Sequence, residues 1–498
     1  MAVGHAGRHP LRTGFYSGDL TILRARRIKC DETKPICQRC SQRGWTCGGY
    51  SATNGNPKSS SSPIISSPIA TYAIPYRIPG SQHDRRLLHY FCVRGAEDLS
   101  GHMSSDFWTR LVLQHSHDNV PVRQAVVALS CAHQSYLGAD DNCSSLPIDA
   151  IAQYNRAMRS LRKYMSVGID SNEAVSAVVP LICSVIFFCF ENTQGNTEAA
   201  LQHLNSGIAI LSRHKETEKF RRNETSIDSV ELLEHMLVRL DLQASMFDDA
   251  RLPLLRLDLN KESKVPVFSN FRTIDHASTD LTRLQSRLLQ FLISNNIFKF
   301  YSEHDLPNYV TLEKKEIEEA YTEWNEKFDR LLQTQSVDVG ETLQDSAITI
   351  LHIHYHLFQL LLSASFPYDP FVFSGSPESA NSPILSKILD LAESTLQARG
   401  ARNRSLGAEA GIIPPLFLIT MKCNDPVIFK RALSLLLSTK GSREGMFNSD
   451  VLVEMAMCFA SQSESLPGTV ALEWQACDIL DNTTSGLSGV AKNLGIVS

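Results

Sequence analysis

Residues 174–211 read AVSAVVPLICSVIFFCFENTQGNTEAALQHLNSGIAIL. The first part, Ala174 to Phe190, is apolar almost throughout, which is the composition of a helix buried on every side. It is about 17 residues long, carries Pro180, and is flanked by Glu173 and Glu191 rather than by a basic cluster. Those features predict a core helix and argue against a membrane span, which needs roughly 20 apolar residues. The NTQGN segment is a turn signal. Beyond it Ala200, Leu201, Leu204, Ile208 and Leu211 recur at helical spacing, so the stretch predicts two antiparallel helices joined by a tight turn.

The same period appears on both sides. Val122, Ala125, Val126, Leu129 and Ala132 form a stripe after Asn119 and Pro121 as start signals, and Leu232, Leu233, Met236, Leu237, Leu240 and Ala244 form another. Asp425 followed by Pro426 predicts a capped helix start, with Val427, Phe429, Ala432, Leu433 and Leu436 as its apolar face. Alternating strand patterns are nearly absent and no fixed repeat period runs along the chain. The expected fold class is therefore all-α: a large helical body, preceded by a small cysteine-rich module and a linker.

The chain has 498 residues, 43% of them hydrophobic, enough for one large core and a small appended module. It opens without a signal-like apolar segment, which predicts a soluble, intracellular protein. Residues 1–18 are polar and aperiodic and are expected to be disordered. The cysteine-rich module is expected over 19–48, a Ser/Pro/Gly-rich linker over 49–82, and the helical body over 83–485. No heptad pattern marks the linker as a coiled coil. The net charge of -5 is unevenly spread. Residues 1–58 hold ten Lys or Arg against three acids, a net of +7, so the other 440 residues carry -12. A basic head on an acidic body is the footprint of a protein whose small part meets nucleic acid.

Of the twelve cysteines, Cys30, Cys37, Cys40 and Cys47 crowd together, while the other eight are scattered through apolar stretches as expected core residues. Four clustered thiols in a reducing compartment point to metal rather than disulfide, and a pair two residues apart chelates one zinc from a tight turn. The run RARRIKCDETKPICQRCSQRGWTC, from Arg24 to Cys47, resembles the later two thirds of the fungal zinc-cluster DNA-binding domain, in which six cysteines hold two zinc ions and two thiolates bridge. On that resemblance Cys30, Cys37, Cys40 and Cys47 are zinc ligands and Pro35 lies in the expected loop. Counting back by the family pattern puts the first two ligands at Leu20 and Leu23, and leucine binds no zinc.

Structural zinc supplies roughly 10–16 kcal/mol of folding free energy in such modules, so a two-metal fold is not expected from these residues. Three readings follow: residues before Arg24 belong to a misassigned exon, the module is degenerate and holds one zinc or none, or the similarity is accidental. If the module folds, the resemblance implies that Arg26 and Arg27 contact bases, typically of CGG triplets. Arg24, Lys29, Arg39 and Arg43 would then face phosphates. A solvated basic patch or a nuclear localisation signal is the plainer reading of the same run.

The stretches SSDFWTRLVLQHS, VRQAVVALSCAH and RLDLQASMFDDARLP, the last from Arg239 to Pro253, resemble the regulatory region of fungal zinc-cluster transcription factors. Arg239 and Asp241 are read as a buried polar pair or as surface charges. The resemblance implies a nuclear, zinc-dependent RNA polymerase II-type transcription factor. Its partners would be double-stranded promoter DNA and a second copy or a homologue, joined through the helical body, and no membrane. The alternative is a degenerate regulator acting by protein–protein interaction without DNA binding. No enzyme is expected, because G-x-S-x-G, G-x-G-x-x-G, phosphate-loop and H-E-x-x-H motifs are all missing. His352 and His356 share a helical face in LHIHYHL, but no carboxylate within the segment completes a metal site with them.

Overall fold

Asn119 ends one helix in an extended conformation, and its carbonyl accepts from Arg123 N in the first turn of the next, which runs over Val120–Gly138. The expected stripe from Val122 to Ala132 is fully buried along it. The same agreement between periodicity and burial recurs down the chain. The computed structural model describes residue 42 and residues 79–103, 106–138, 148–171, 177–218, 227–248, 251–255, 270–335, 342–375, 381–399, 404–423 and 425–465. The chain divides into two units, Met1–Ser66 and Ser67–Ser498. Gln42 apart, every described residue lies in the second.

In chain order the helices are α1 (Gln82–Tyr90), α2 (Ala96–Ser100), α3 (Val112–Asp118), α4 (Val120–Gly138), α5 (Ile148–Ser171), α6 (Val178–Gln194), α7 (Thr197–Glu218) and α8 (Ile227–Phe247). They continue as α9 (Ile274–Ser294), α10 (Asn308–Gln335), α11 (Thr342–Ser363), α12 (Ser382–Arg399), α13 (Ile413–Lys422), α14 (Pro426–Leu437) and α15 (Ser449–Ser465). Single π turns, Phe91–Gly95 and Phe107–Leu111, lead into α2 and α3. A reciprocal capping box starts α1: Asp84 N donates to Ser81 Oγ and Ser81 N donates to the Asp84 carboxylate, both at 3.1 Å.

The hairpin expected around residue 190 is present as α6 and α7. Every residue from Val178 to Asn192 is buried, and no helix among the described residues is long and apolar enough to cross a membrane. Pro180 is tolerated because it falls in the first turn, where its missing N–H has no intrahelical partner to lose. Gly195 ends α6 in the left-handed region at φ 73°, its N–H donating to Asn192 O while Asn196 N donates to Glu191 O.

Three hydrophobic clusters form the interior. The first is built by α1 to α8 around Phe91, Phe107, Trp108, Phe187 and Phe188. The second joins α11 to α15. The third joins α9, α10 and α11 around Trp324, whose indole N–H donates to Ala277 O at 2.9 Å and whose ring stacks on Phe328 and Tyr355. The C-terminal turn of α8 meets all three: Phe247 packs against the first and second clusters, Met246 against the second and third.

Two details differ from expectation. The α14 cap is as read, with Asp425 Oδ1 accepting from Val427 N and Ile428 N at 2.9 Å. However, Val427 is 74% exposed, and the face turned inward is Ile428, Ala432, Leu435 and Leu436. A proline at the first helical position tells where the helix begins but not how it is rotated; the docking against α12 and α13 sets that. A small sheet is also present, with β1 (Ser405–Gly407) parallel to β2 (Ser442–Glu444) and β2 antiparallel to β3 (Phe447–Asn448). It fastens the C-terminal region to the first cluster: Ala408 N donates to Leu99 O at 3.0 Å, and Tyr136 Oη donates to Gly441 O at 3.3 Å.

His133 is 1% exposed inside the first cluster, hydrogen-bonded through Nδ1 to Tyr90 Oη at 2.7 Å. Burial pushes its pKa down to about 4, although the Asp98 carboxylate 3.8 Å away pulls the other way. The unfolded chain takes up this proton near pH 6.5 and the folded one only near 4, so between those values the unfolded state binds more protons. Stability should therefore fall as the pH drops through that window. His133→Asn should flatten the dependence of the unfolding midpoint on pH between 7 and 5; an unchanged slope would show that His133 does not carry it.

Candidate functional site

The sequence-predicted ligands Cys30, Cys37, Cys40 and Cys47, and the basic residues Arg24, Arg26, Arg27, Lys29, Arg39 and Arg43, lie outside the described residues. The donor set itself limits what they can hold. Four thiolates complete one tetrahedral zinc shell, whereas two zinc ions need eight coordination positions, which six thiolates fill only by bridging. The set fits one zinc and does not fit two.

Within the helical body, the histidines of α11 do not form a metal site. His352 and His356 share a face, with ring centroids 6.2 Å apart. His354 points elsewhere, and its Nε2 donates to Gly411 O at 2.8 Å. Burial lowers the pKa of all three, that of His356 to about 4. Among the described residues no group of three or more metal-capable side chains converges. Of the scattered thiols, Cys92, Cys183, Cys189 and Cys423 are buried as expected, and burial pushes Cys92 and Cys423 up to about 11 and Cys183 and Cys189 higher still, whereas Cys131 and Cys458 are only half-buried. Cys143 and Cys477 lie outside the described residues.

The polar chemistry of the body gathers where α8, α11, and the segment from β1 to α13 meet. Arg239 and Asp241 are not partners of each other. Arg239 Nε lies 2.9 Å from Glu409 Oε2, across 170 residues of chain, with both side chains largely buried. Burial raises the Glu409 pKa, and Arg239 opposes that rise. Asp241, 1% exposed, pairs with Arg251 at 2.6 Å and accepts from Leu255 N at 2.8 Å, so it ties the chain leaving α8 back onto the helix. Arg251 also donates to Asp241 O, Ser245 Oγ and Asn205 Oδ1. Asp241 and Arg251 thus form a fold-back lock at the end of α8.

Glu444, at the end of β2 and 4% exposed, accepts from Gly411 N at 2.8 Å and Ile413 N at 2.9 Å, holding the first amide of α13 and one from the segment leading into it. His102 lies 4.0 Å from its other oxygen. Gly411 has no room for a side chain, since a Cβ would stand 2.8 Å from Glu444 Oε1. Glu409 and Glu444 carried no local sequence signal, because each partner is distant along the chain.

Residues 86–249 match the Fungal specific transcription factor domain, an extent that begins in α1 and ends just after α8 and so covers the first cluster apart from Ala408 and Met446 and the packed Leu255. Residues 24–57 match the Fungal Zn(2)-Cys(6) binuclear cluster domain. Over these two stretches the chain matches the domains of the fungal zinc-cluster transcription factors. The match to the cluster domain begins at Arg24, after Leu20 and Leu23 and before the four cysteines. The chain is 24% identical over 403 residues to the aspercryptin biosynthesis cluster-specific transcription regulator atnN of Emericella nidulans. That match covers 74% of this chain and 62% of the relative, so the chain spans somewhat less than two thirds of that relative's length. It is 26% identical over 302 residues to the transcription regulator lscL of Purpureocillium lilacinum, covering 54% of this chain and 70% of the relative. Over 122 residues it is 30% identical to the Zn(2)-C6 fungal-type transcription factor afumD of Aspergillus fumigatus, covering 24% of this chain and 32% of the relative. No solved structure matches the chain. The family and these relatives are regulators of transcription and not enzymes, in keeping with the expectation of no catalytic centre.

Proposed function

We propose that the protein is a nuclear transcription regulator in which Cys30, Cys37, Cys40 and Cys47 bind zinc and the preceding basic run meets duplex DNA. The observation that carries the reading is the spacing of those four thiols directly after RARRIK, within the stretch matched to the zinc-cluster domain. In this reading Arg26 and Arg27 contact base edges of CGG-like triplets, and Arg24, Lys29, Arg39 and Arg43 contact phosphates. In this reading the chain is organised as a disordered segment 1–18, the module 19–48, the linker 49–82 and the body 83–485, through which it joins a second copy or a homologue. The name of the Emericella relative, a cluster-specific biosynthesis regulator, supports control of a biosynthetic gene cluster as the task.

A second reading is favoured by Leu20 and Leu23: a degenerate module whose body acts through protein contacts without DNA binding. The two are separated by metal content and DNA binding. The full chain should carry one zinc at most. The Leu20→Cys, Leu23→Cys double variant should carry two and gain salt-dependent affinity for CGG-containing duplexes. No gain in a fluorescence-anisotropy titration would favour the degenerate reading.

In that double variant, Arg27→Ala should cost roughly 1–3 kcal/mol on cognate DNA and little on random DNA. Lys29→Ala should weaken both alike and reduce the salt slope by about one. Equal losses on both duplexes for Arg27→Ala would turn the basic run into a phosphate clamp or an import signal.

A further inference from the structure

A cavity of about 60 Å³ lies between α8, α9, α11 and the segment just after β1. One water needs about 10–15 Å³, so there is room for at least four water-sized groups, the size of a small organic molecule. Its apolar wall includes Leu242, Leu281 and Leu351. Its polar wall is unusual. Gln243 and Gln285, 2% and 3% exposed, both line the space, and neither Nε2 has a hydrogen-bond partner. Glu409, which also lines it, leaves Oε1 unpartnered while Oε2 pairs with Arg239.

Buried amide donors without partners cost roughly 1–3 kcal/mol each. Two of them at one cavity form a cost concentrated where an occupant would relieve it. Their chemistry defines that occupant. Two amide donors call for acceptor oxygen on the ligand, and the free Glu409 oxygen calls for an N–H or O–H beside it. Arg239 and Glu409 cancel each other's charge, so a net charge on the ligand would go uncompensated in a buried place. The leucines require a short apolar part.

We propose that this cavity is an effector site for a small neutral molecule bearing a carbonyl oxygen, an N–H or O–H donor and a short apolar group, as in a primary amide. The position gives binding a consequence. Leu242, Leu281 and Leu351 belong to the third cluster, Ile350 on the same cavity to the second, and Met246 packs on both. An occupant therefore stabilises the contact between two cores rather than one element. The site is independent of zinc and DNA, and its test does not depend on the function proposed above.

The test uses the full chain with propionamide as the probe, against propionate and propylamine at the same concentration. Propionamide should raise the unfolding midpoint with the logarithm of its concentration, by roughly 2 °C at ten times Kd, and should receive saturation transfer in NMR; the two charged analogues should do neither. Gln285→Leu and Gln243→Leu should fold at least as stably as the parent, because a partnerless amide contributes nothing that leucine lacks, and should lose both responses. No response to propionamide, equal responses to the charged analogues, or responses that survive both substitutions would overturn the proposal. Loss of the fold in both variants would overturn it too, since it would make the amides structural.

Discussion

Asp241→Ala should destabilise the helical body by about 3–5 kcal/mol, the cost of breaking a buried pair and leaving one charge behind. Asp241 and Arg251 have side chains only 2% and 10% exposed, and the carboxylate also accepts from Leu255 N. Removing it leaves the guanidinium without its counter-charge and the Leu255 amide without its acceptor. Asp241→Asn should cost less, since it keeps an acceptor for Leu255 N. Urea unfolding followed by circular dichroism measures both, and a loss under about 1 kcal/mol for the alanine variant, within the range of an exposed pair, would show that the fold-back is not held by this carboxylate.

Gly445→Ala should cost about 2–4 kcal/mol, from two sources. At φ +56° the residue sits in the left-handed region, which charges a non-glycine residue roughly 1–2 kcal/mol. A Cβ there would also collide with the carboxamide of Gln243, and displacing a buried side chain from a packed position costs a further increment. The two parts separate in a double-mutant cycle with Gln243→Ala, which should recover the collision and leave the backbone cost. A cycle showing no coupling would mean that Gln243 moves aside freely.

Much of the helical body was legible because buried faces repeat at 3.6 residues. The stripes of α4, α7 and α8 needed nothing beyond that period, and Asp425 with Pro426 marked the start of α14 through local hydrogen-bonding chemistry. The orientation of α14 was less legible, because Val427 and Ile428 are equally apolar and only the neighbours decide which is covered. The sheet was illegible, since strands of two or three residues carry no alternation. The pairings of Arg239 with Glu409 and of Glu444 with Gly411 and Ile413 were hidden for another reason: a charged residue announces that it needs a partner, not which one. The cysteine-rich segment was the reverse case. The spacing that the family pattern asks for is wholly local, so the four proposed zinc ligands and the two leucines at the positions of the first two could be read directly.

The bond from Ala408 N to Leu99 O, and the strand that β2 lays beside β1, bear on the order in which the molecule is made. Residues near 99 leave the ribosome more than 300 positions before their partners. Domains generally fold as units with the N-terminal part first during synthesis, so α1 to α8 bury their shared core while the surface that receives β1 still faces solvent. The nascent protein therefore carries an unfinished seam until the residues that close it, more than 300 positions further along the chain, have been made.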